Sequence, residues 1–289
     1  MPANASLSEP HHPDPYRPDR RLPAGAIDCH MHIYGPPDRF GPPTPNGLCG
    51  RAHLADYLAL RQQLGLARTV YVQPSHYGHD NSCMLAAMAA DPAPARGVAV
   101  IGAAGPDSDF AALHVAGVRG ARFSFLFAGC LTLDELEPVA ARIADFGWHA
   151  QIQLDGATLP DLETRLTALP VPLVIDHLGR IPLSGRVDTA AHMTLYRLLD
   201  RGVCWVKLSA PYHVSADPTG DCADCAPLAR HLLAHYPDRL VWGTNWPHPN
   251  ALDNPPDDRH LLRLLRDWCG DATTAHQVLV ANPERLYGF

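Results

Sequence analysis

Long apolar runs are missing from this chain. None approaches the 18 residues that a membrane-spanning helix needs, which argues against a bilayer-embedded protein. No export leader is visible either, because the first 22 residues are rich in proline, histidine and charge, so the cytoplasm is the expected compartment. No basic run exceeds Arg20-Arg21, and 23 Lys+Arg against 30 Asp+Glu leave a formal net charge of −7. Nucleic acid is therefore not an expected partner, and an anionic ligand would have to be met by individual arginines. Cys222-Ala-Asp-Cys225 stands alone, without a second such pair or a nearby pair of histidines to complete a tetrahedral site. The eight cysteines are expected to be reduced core residues rather than a disulfide framework. No Gly-x-Gly-x-x-Gly follows the first strand pattern, which removes the main support for a dinucleotide fold, and no internal repeat is present.

What is there is an alternation. Short β-branched runs at 26–33, 68–74, 96–103, 119–125, 148–154, 171–178, 203–209 and 239–245 are separated by amphipathic stretches. These stretches fall near 53–64, 80–90, 107–116, 132–145, 158–168, 188–201, 221–235 and 257–268. Eight strands, each followed by a helix, predict an α/β fold: a (β/α)8 TIM barrel in one domain over residues 23–289. Residues 1–22 read as a loosely ordered proline-rich arm, and the loop Gly35-Pro-Pro…Gly41-Pro-Pro-Thr-Pro is long enough to act as a lid.

Chemistry in such barrels gathers at the carboxyl ends of the strands. The first strand offers His30 and His32, two residues apart and so on one face. The second ends at Ser75, a candidate substrate contact, with Asp80-Asn81 placed to cap the next helix. The fourth carries Arg122, costly to bury unless it meets a carboxylate or another anion, and Ser124. The fifth ends in Gln153 and Asp155, the latter also a helix-cap candidate. The sixth brings Asp176, His177 and Arg180, with Asp176 expected to orient a neighbour. The seventh brings Lys207, Ser209, Tyr212 and His213, with Lys207 open between a structural and a functional part. The eighth delivers Asn245, Trp246 and His248.

Asp28-x-His-x-His, Val174-Ile-Asp-His-Leu-Gly-Arg180 and Trp242-Gly-Thr-Asn-Trp-Pro-His248 together resemble the amidohydrolase superfamily, in the branch called amidohydrolase-related family 2. The resemblance runs from Ile27 to the closing Asn282-Pro-Glu-Arg-Leu-Tyr-Gly-Phe289. Within that branch the chain is most similar to 2-pyrone-4,6-dicarboxylate lactonases and galactarolactone isomerases, both understood to work on lactones without a metal. Zinc in other members is held by the first-strand histidines, a histidine ending the fifth strand and an aspartate on the eighth. Here His149 opens the fifth strand, roughly 20 Å below Asp155 at about 3.3 Å per residue. Zinc could then be held only by His30, His32 and His177, and no metal or other cofactor is favoured.

The lactonase pattern implies that His30, His32, Ser75, Arg122, His177 and Arg180 hold and polarise substrate. It departs at Gln153, where that pattern has tyrosine, and at Ala128 and His213, where it has arginines. The largest departure is Asn245, in place of the aspartate that serves lactonases as general base. A carboxamide can hold water but cannot take its proton. The isomerase pattern accommodates asparagine, because there the substrate's own hydroxyl attacks. Gln153 and Tyr212 suit the isomerases, and His30 suits the lactonases. The resemblance thus implies a hydrolase or a metal-independent isomerase acting on an anionic lactone of an acidic sugar or aromatic catabolite. The catalytic residues would be His30, His32, His177 and Asn245, with Ser75, Arg122, Gln153, Arg180, Tyr212 and His248 binding substrate. A zinc-dependent hydrolase or decarboxylase and a catalytically silent metabolite-binding barrel are the alternatives. Asn245 could also mark a base lost by substitution, and the sequence leaves monomer and homo-oligomer open.

Overall fold

The computed structural model of the chain describes residues 22–40, 52–183, 185–218 and 221–289. The expected N-terminal arm, apart from Leu22, and the expected lid from residue 41 onward lie outside the described residues. Eight strands form one sheet in sequence order: β1 (Ile27–Met31), β2 (Arg68–Val72), β3 (Ala95–Ala99), β4 (Val118–Ser124), β5 (His149–Gln153), β6 (Leu173–Ile175), β7 (Cys204–Ser209) and β8 (Leu240–Gly243). Each neighbouring pair is parallel. The ring closes just past β8, where Asn245 N donates to His30 O and His32 N donates to Trp246 O, at 2.8 Å each. This is the (β/α)8 TIM barrel that the alternation predicts.

Each β-branched run becomes a strand because both of its faces are buried, one against the barrel axis and one against a helix. The axis holds Ile27, Cys29, Val70, Val98, Val174 and Val241, closed from below by Tyr287 on the terminal helix Asn282–Tyr287. The larger apolar layer lies between the sheet and its surrounding helices. Those helices include Leu54–Leu64, Asp107–Val115, Ala190–Asp200 and Asp258–Cys269. The seven described cysteines are free and buried, as their apolar settings imply. Cys225 Sγ is turned to Pro211 O at 3.5 Å. Among the described residues no helix is long and apolar enough to cross a membrane.

One close approach is carried by a glycine. A Cβ on Gly243 would lie 2.5 Å from His30 N, so only glycine lets the end of β8 reach β1 at the point where the barrel closes.

Candidate functional site

Backbone strain concentrates where β6, β7 and β8 end. His177, Leu178, Arg180, Ala210, Asn245 and His248 all have positive φ, and among the described residues Cys222 is the remaining such non-glycine residue. Side chains with a Cβ resist this region, and persistent strain of this kind clusters at functional sites. The strain turns the loops inward over the mouth of the barrel and brings His177 and Asn245 to one cavity.

Beneath that cavity lies a polar floor. A register irregularity between Asp28 and Met31 sends the Asp28 carboxylate outward instead of beside His30. There it accepts from His30 N, Tyr57 Oη, Thr244 N and Thr244 Oγ1 at 2.7–3.0 Å, clamping β1 to the end of β8. Burial pushes its pKa up to about 6 against these donors. Inside the barrel Lys207, the only lysine of the chain, is fully buried. Its ammonium donates to Cys29 O at 2.9 Å, Gln151 Oε1 at 2.6 Å and His30 Nδ1 at 3.2 Å, and stands 3.5 Å from Asp176 Oδ1. Gln151 Nε2 donates to Asp176 Oδ2 at 3.1 Å. Burial lowers the Lys207 pKa, opposed chiefly by Asp176.

This floor sets the tautomers above it. Asp176 Oδ1 also stands 3.3 Å from His30 Nδ1 but without a hydrogen bond, whereas Lys207 has only donors to offer that nitrogen, so His30 Nδ1 accepts and the His30 proton sits on Nε2. His32 Nδ1 must donate to Val72 O at 2.8 Å, which leaves its Nε2 as an acceptor 3.3 Å from His30 Nε2. His177 Nδ1 pairs with Ser209 Oγ at 2.9 Å, so its Nε2 is the nitrogen left for the cavity. Burial is the first cause holding the His30 and His177 pKa values well below the ordinary value and lowering His32 to about 3.

The cavity measures about 220 Å³, room for one small ring with its substituents. Of the candidates, His32, Ser75, Arg122, Gln153, His177 and Asn245 line it, and His30 stands directly behind His32. Its lining residues include no aspartate or glutamate. Arg122 donates through Nη1 to Gln73 O and through Nη2 to Gln153 Oε1 at 3.4 Å, while its buried Nε has no partner. Arg180, outside the lining, likewise has an unpartnered buried Nη1. Tyr212 and His248 stand behind Asn245 rather than in the cavity wall. Asp155 caps the turn that follows it, accepting from Ala157 N at 3.0 Å. Ser124 Oγ accepts from Phe127 N at 3.1 Å and so folds the β4 loop over the cavity. His149 lies at the floor of the barrel with its ring centroid 5.3 Å from that of Tyr287.

Two residues carry more than their sequence signal suggested. His213 lines the cavity, its ring centroid 5.3 Å from that of His177, with its pKa pushed down by burial to about 3. Lys207 anchors the floor, and the signal that could have singled it out is its uniqueness: one lysine, placed inside an apolar strand.

The sequence leaves His30, His32 and His177 as the possible holders of a metal. Among the described residues the three donors that come within 4.8 Å of one another are instead His30, Asp176 and His177. Lys207 Nζ lies 3.2 Å from His30 Nδ1 and 3.5 Å from Asp176 Oδ1. A dication bound through His30 Nδ1 at about 2.1 Å would sit within roughly 5 Å of that ammonium. The Asp176 carboxylate among the three donors attracts a cation, and the Lys207 ammonium beside it opposes one.

Comparison with known proteins agrees with this architecture. The amidohydrolase family profile matches residues 27–289. A 2-pyrone-4,6-dicarboxylate hydrolase of Comamonas testosteroni is 38% identical over 288 residues, spanning 95% of this chain and 93% of that protein. A D-galactarolactone isomerase of Agrobacterium fabrum is 36% identical over 277 residues, spanning 93% of each chain. An apo crystal structure from Agrobacterium tumefaciens superposes with a TM-score of 0.85 at 35% identity, covering 94% of this chain and 99% of that one. With the sequence motifs placed on the strand ends of a (β/α)8 barrel, the chain belongs to the amidohydrolase family.

Proposed function

We propose that this enzyme rearranges a lactone of an acidic sugar, moving the ring acyl group from one hydroxyl of the substrate to another without a metal. The observation that carries this reading is the cavity wall. Asn245 stands at the end of β8, and its lining residues include no carboxylate. Hydrolysis consumes water and releases an acid, which calls for a base able to keep a proton. Rearrangement is proton-neutral: the attacking hydroxyl loses a proton and the departing ring oxygen gains one. Imidazoles held neutral by burial suit that exchange.

In this reading an Arg122 guanidinium with an unpartnered Nε, assisted by Arg180, receives the substrate carboxylate. His177 Nε2 polarises the ring carbonyl and stabilises the tetrahedral oxyanion. Asn245 Oδ1 holds the attacking hydroxyl. As that oxygen attacks, its proton passes from the Asn245 Oδ1 hydrogen bond to His32 Nε2, whose lone pair gives up its contact with His30 Nε2 to take it, and then goes to the departing ring oxygen. Ser75 and Gln153 orient the ring from the wall. Galactarolactone is the substrate type named for one relative, and its polyhydroxy chain supplies the internal nucleophile.

Hydrolysis is the second reading. It is supported by the 38% identity to a 2-pyrone-4,6-dicarboxylate hydrolase and would require a histidine as base. The test follows galactarolactone and 2-pyrone-4,6-dicarboxylate by NMR, with acid release titrated in parallel, for the natural chain and Asn245→Asp, each assayed for metal. Isomer interconversion without acid release supports the proposal. Acid release by the Asn form at a rate matching or exceeding isomerisation overturns it in favour of hydrolysis.

A further inference from the structure

Two hydrogen bonds and one close charge contact run outward from Asn245 through three elements of the barrel. Asn245 Nδ2 donates to Tyr212 Oη at 2.7 Å, and Tyr212 Oη lies 2.9 Å from His248 Nδ1. His248 Nε2 lies 3.2 Å from Asp258 Oδ1, a close charge contact without hydrogen-bond geometry, and neither atom has a hydrogen-bond partner. Tyr212 stands on the turn Pro211–His213 after β7, His248 in the loop after β8, and Asp258 opens the helix Asp258–Cys269. All four side chains are buried.

The direction of this chain is set from its outer end. A carboxylate only accepts, so His248 carries its proton on Nε2. A neutral imidazole protonated there offers Nδ1 as an acceptor, which takes the Tyr212 O–H. The phenol oxygen is then free to accept, and what it accepts is the Asn245 amino group. Asparagine's two ends are otherwise interchangeable in shape, so without this chain either could face the cavity.

We propose that Asp258 and His248 are positioning residues: acting through Tyr212, they turn the carbonyl oxygen of Asn245, and not its amino group, toward the cavity. The distinction matters chemically. A hydroxyl that donates to Asn245 Oδ1 keeps a lone pair aimed at the lactone carbonyl, whereas one accepting from an amino group has that lone pair engaged. The chemical consequence rests on the rearrangement reading; the hydrogen-bond direction does not.

The proposal links two positions 13 apart in sequence and on different elements. An aspartate at 245 would only accept and would draw the Tyr212 O–H to itself. His248 Nδ1 would then have to donate to the phenol oxygen. In the neutral ring that leaves Nε2 as an acceptor facing the Asp258 carboxylate. Replacing Asp258 with asparagine supplies the missing donor, so Asn245→Asp combined with Asp258→Asn runs the whole chain backwards.

The tautomer of His248, read by nitrogen-15 NMR, is the test. The natural chain is expected to carry the proton on Nε2, and the double variant on Nδ1. A proton on Nδ1 in the natural chain, or the same tautomer in both proteins, overturns the proposal. Should the double variant not fold, the natural chain's tautomer and the kinetics of Asp258→Ala decide. That variant is expected to lose roughly tenfold in kcat with KM within about twofold, as a misoriented group near the chemistry would. An unchanged kcat sinks the positioning part. If no lactone is turned over by the natural chain, the rearrangement reading fails while the tautomer result still stands.

Discussion

Lys207→Met is the perturbation with the largest expected effect on the fold. The substitution keeps an unbranched side chain of similar length and deletes the charge from a fully buried position. Three acceptors lose their donor: Cys29 O, Gln151 Oε1 and His30 Nδ1. Asp176, also fully buried at its side chain, loses the cation 3.5 Å away. Breaking a buried pair by removing one partner costs roughly 3–5 kcal/mol, chiefly because the remaining charge is stranded. Against a typical total of about 5–15 kcal/mol, that is a large share of the stability. Equilibrium urea denaturation at neutral pH, by far-UV circular dichroism, should show this loss. Adding Asp176→Asn to Lys207→Met removes the stranded charge and should recover more than half of it. A cost below about 1 kcal/mol for Lys207→Met, or no recovery in the double variant, would refute a floor held by this ion pair.

Acid should destabilise the barrel through its histidines. Folding lowers the pKa of His32, His149 and His213 from 6.5 to about 3, so between those values the unfolded chain binds more protons than the folded one. Their contribution is complete above pH 6.5 and is lost as pH falls toward 3; His149→Gln, at the barrel floor, should flatten the decline in thermal midpoint without changing kcat or KM. Gly243→Ala drives a Cβ to 2.5 Å from His30 N and should cost roughly 1–3 kcal/mol or more in chemical denaturation; wild-type stability would contradict the close approach. Arg122→Lys keeps the charge but removes the fork, so KM for an anionic lactone should rise roughly tenfold or more while kcat moves less. Metal-stripped protein, verified by elemental analysis, should keep its turnover, and restoration of activity only by zinc would defeat the metal-independent reading.

The elements were legible in the sequence because their causes are local. Runs such as Cys204–Ser209 and Leu240–Gly243 are strands from their own β-branched and apolar composition, and Asp107–Val115 starts after proline with two aspartates in its first turn. The alternation of such units leaves a barrel as the economical way to bury every strand. The positions of His32, Arg122, His177 and Asn245 at one mouth followed from their placement at strand ends, since all parallel strands of a barrel point the same way.

What the sequence by itself determined, then, is the fold and the strand ends from which the site residues emerge. Only the tertiary structure decided how those residues face and pair. Asp28 and His30 share a parity, yet an irregularity in β1 sends one carboxylate outward and one imidazole inward. Lys207 and His30 lie 177 residues apart and meet only because closing the ring on β8 leaves a single strand between β7 and β1. The sequence points to Tyr212 and His248 as substrate contacts, whereas the turn after β7 and the left-handed backbone at Asn245 place them behind the amide. Local composition acts over a few residues, whereas hydrogen-bond direction inside a barrel depends on which donors the closed ring leaves opposite one another.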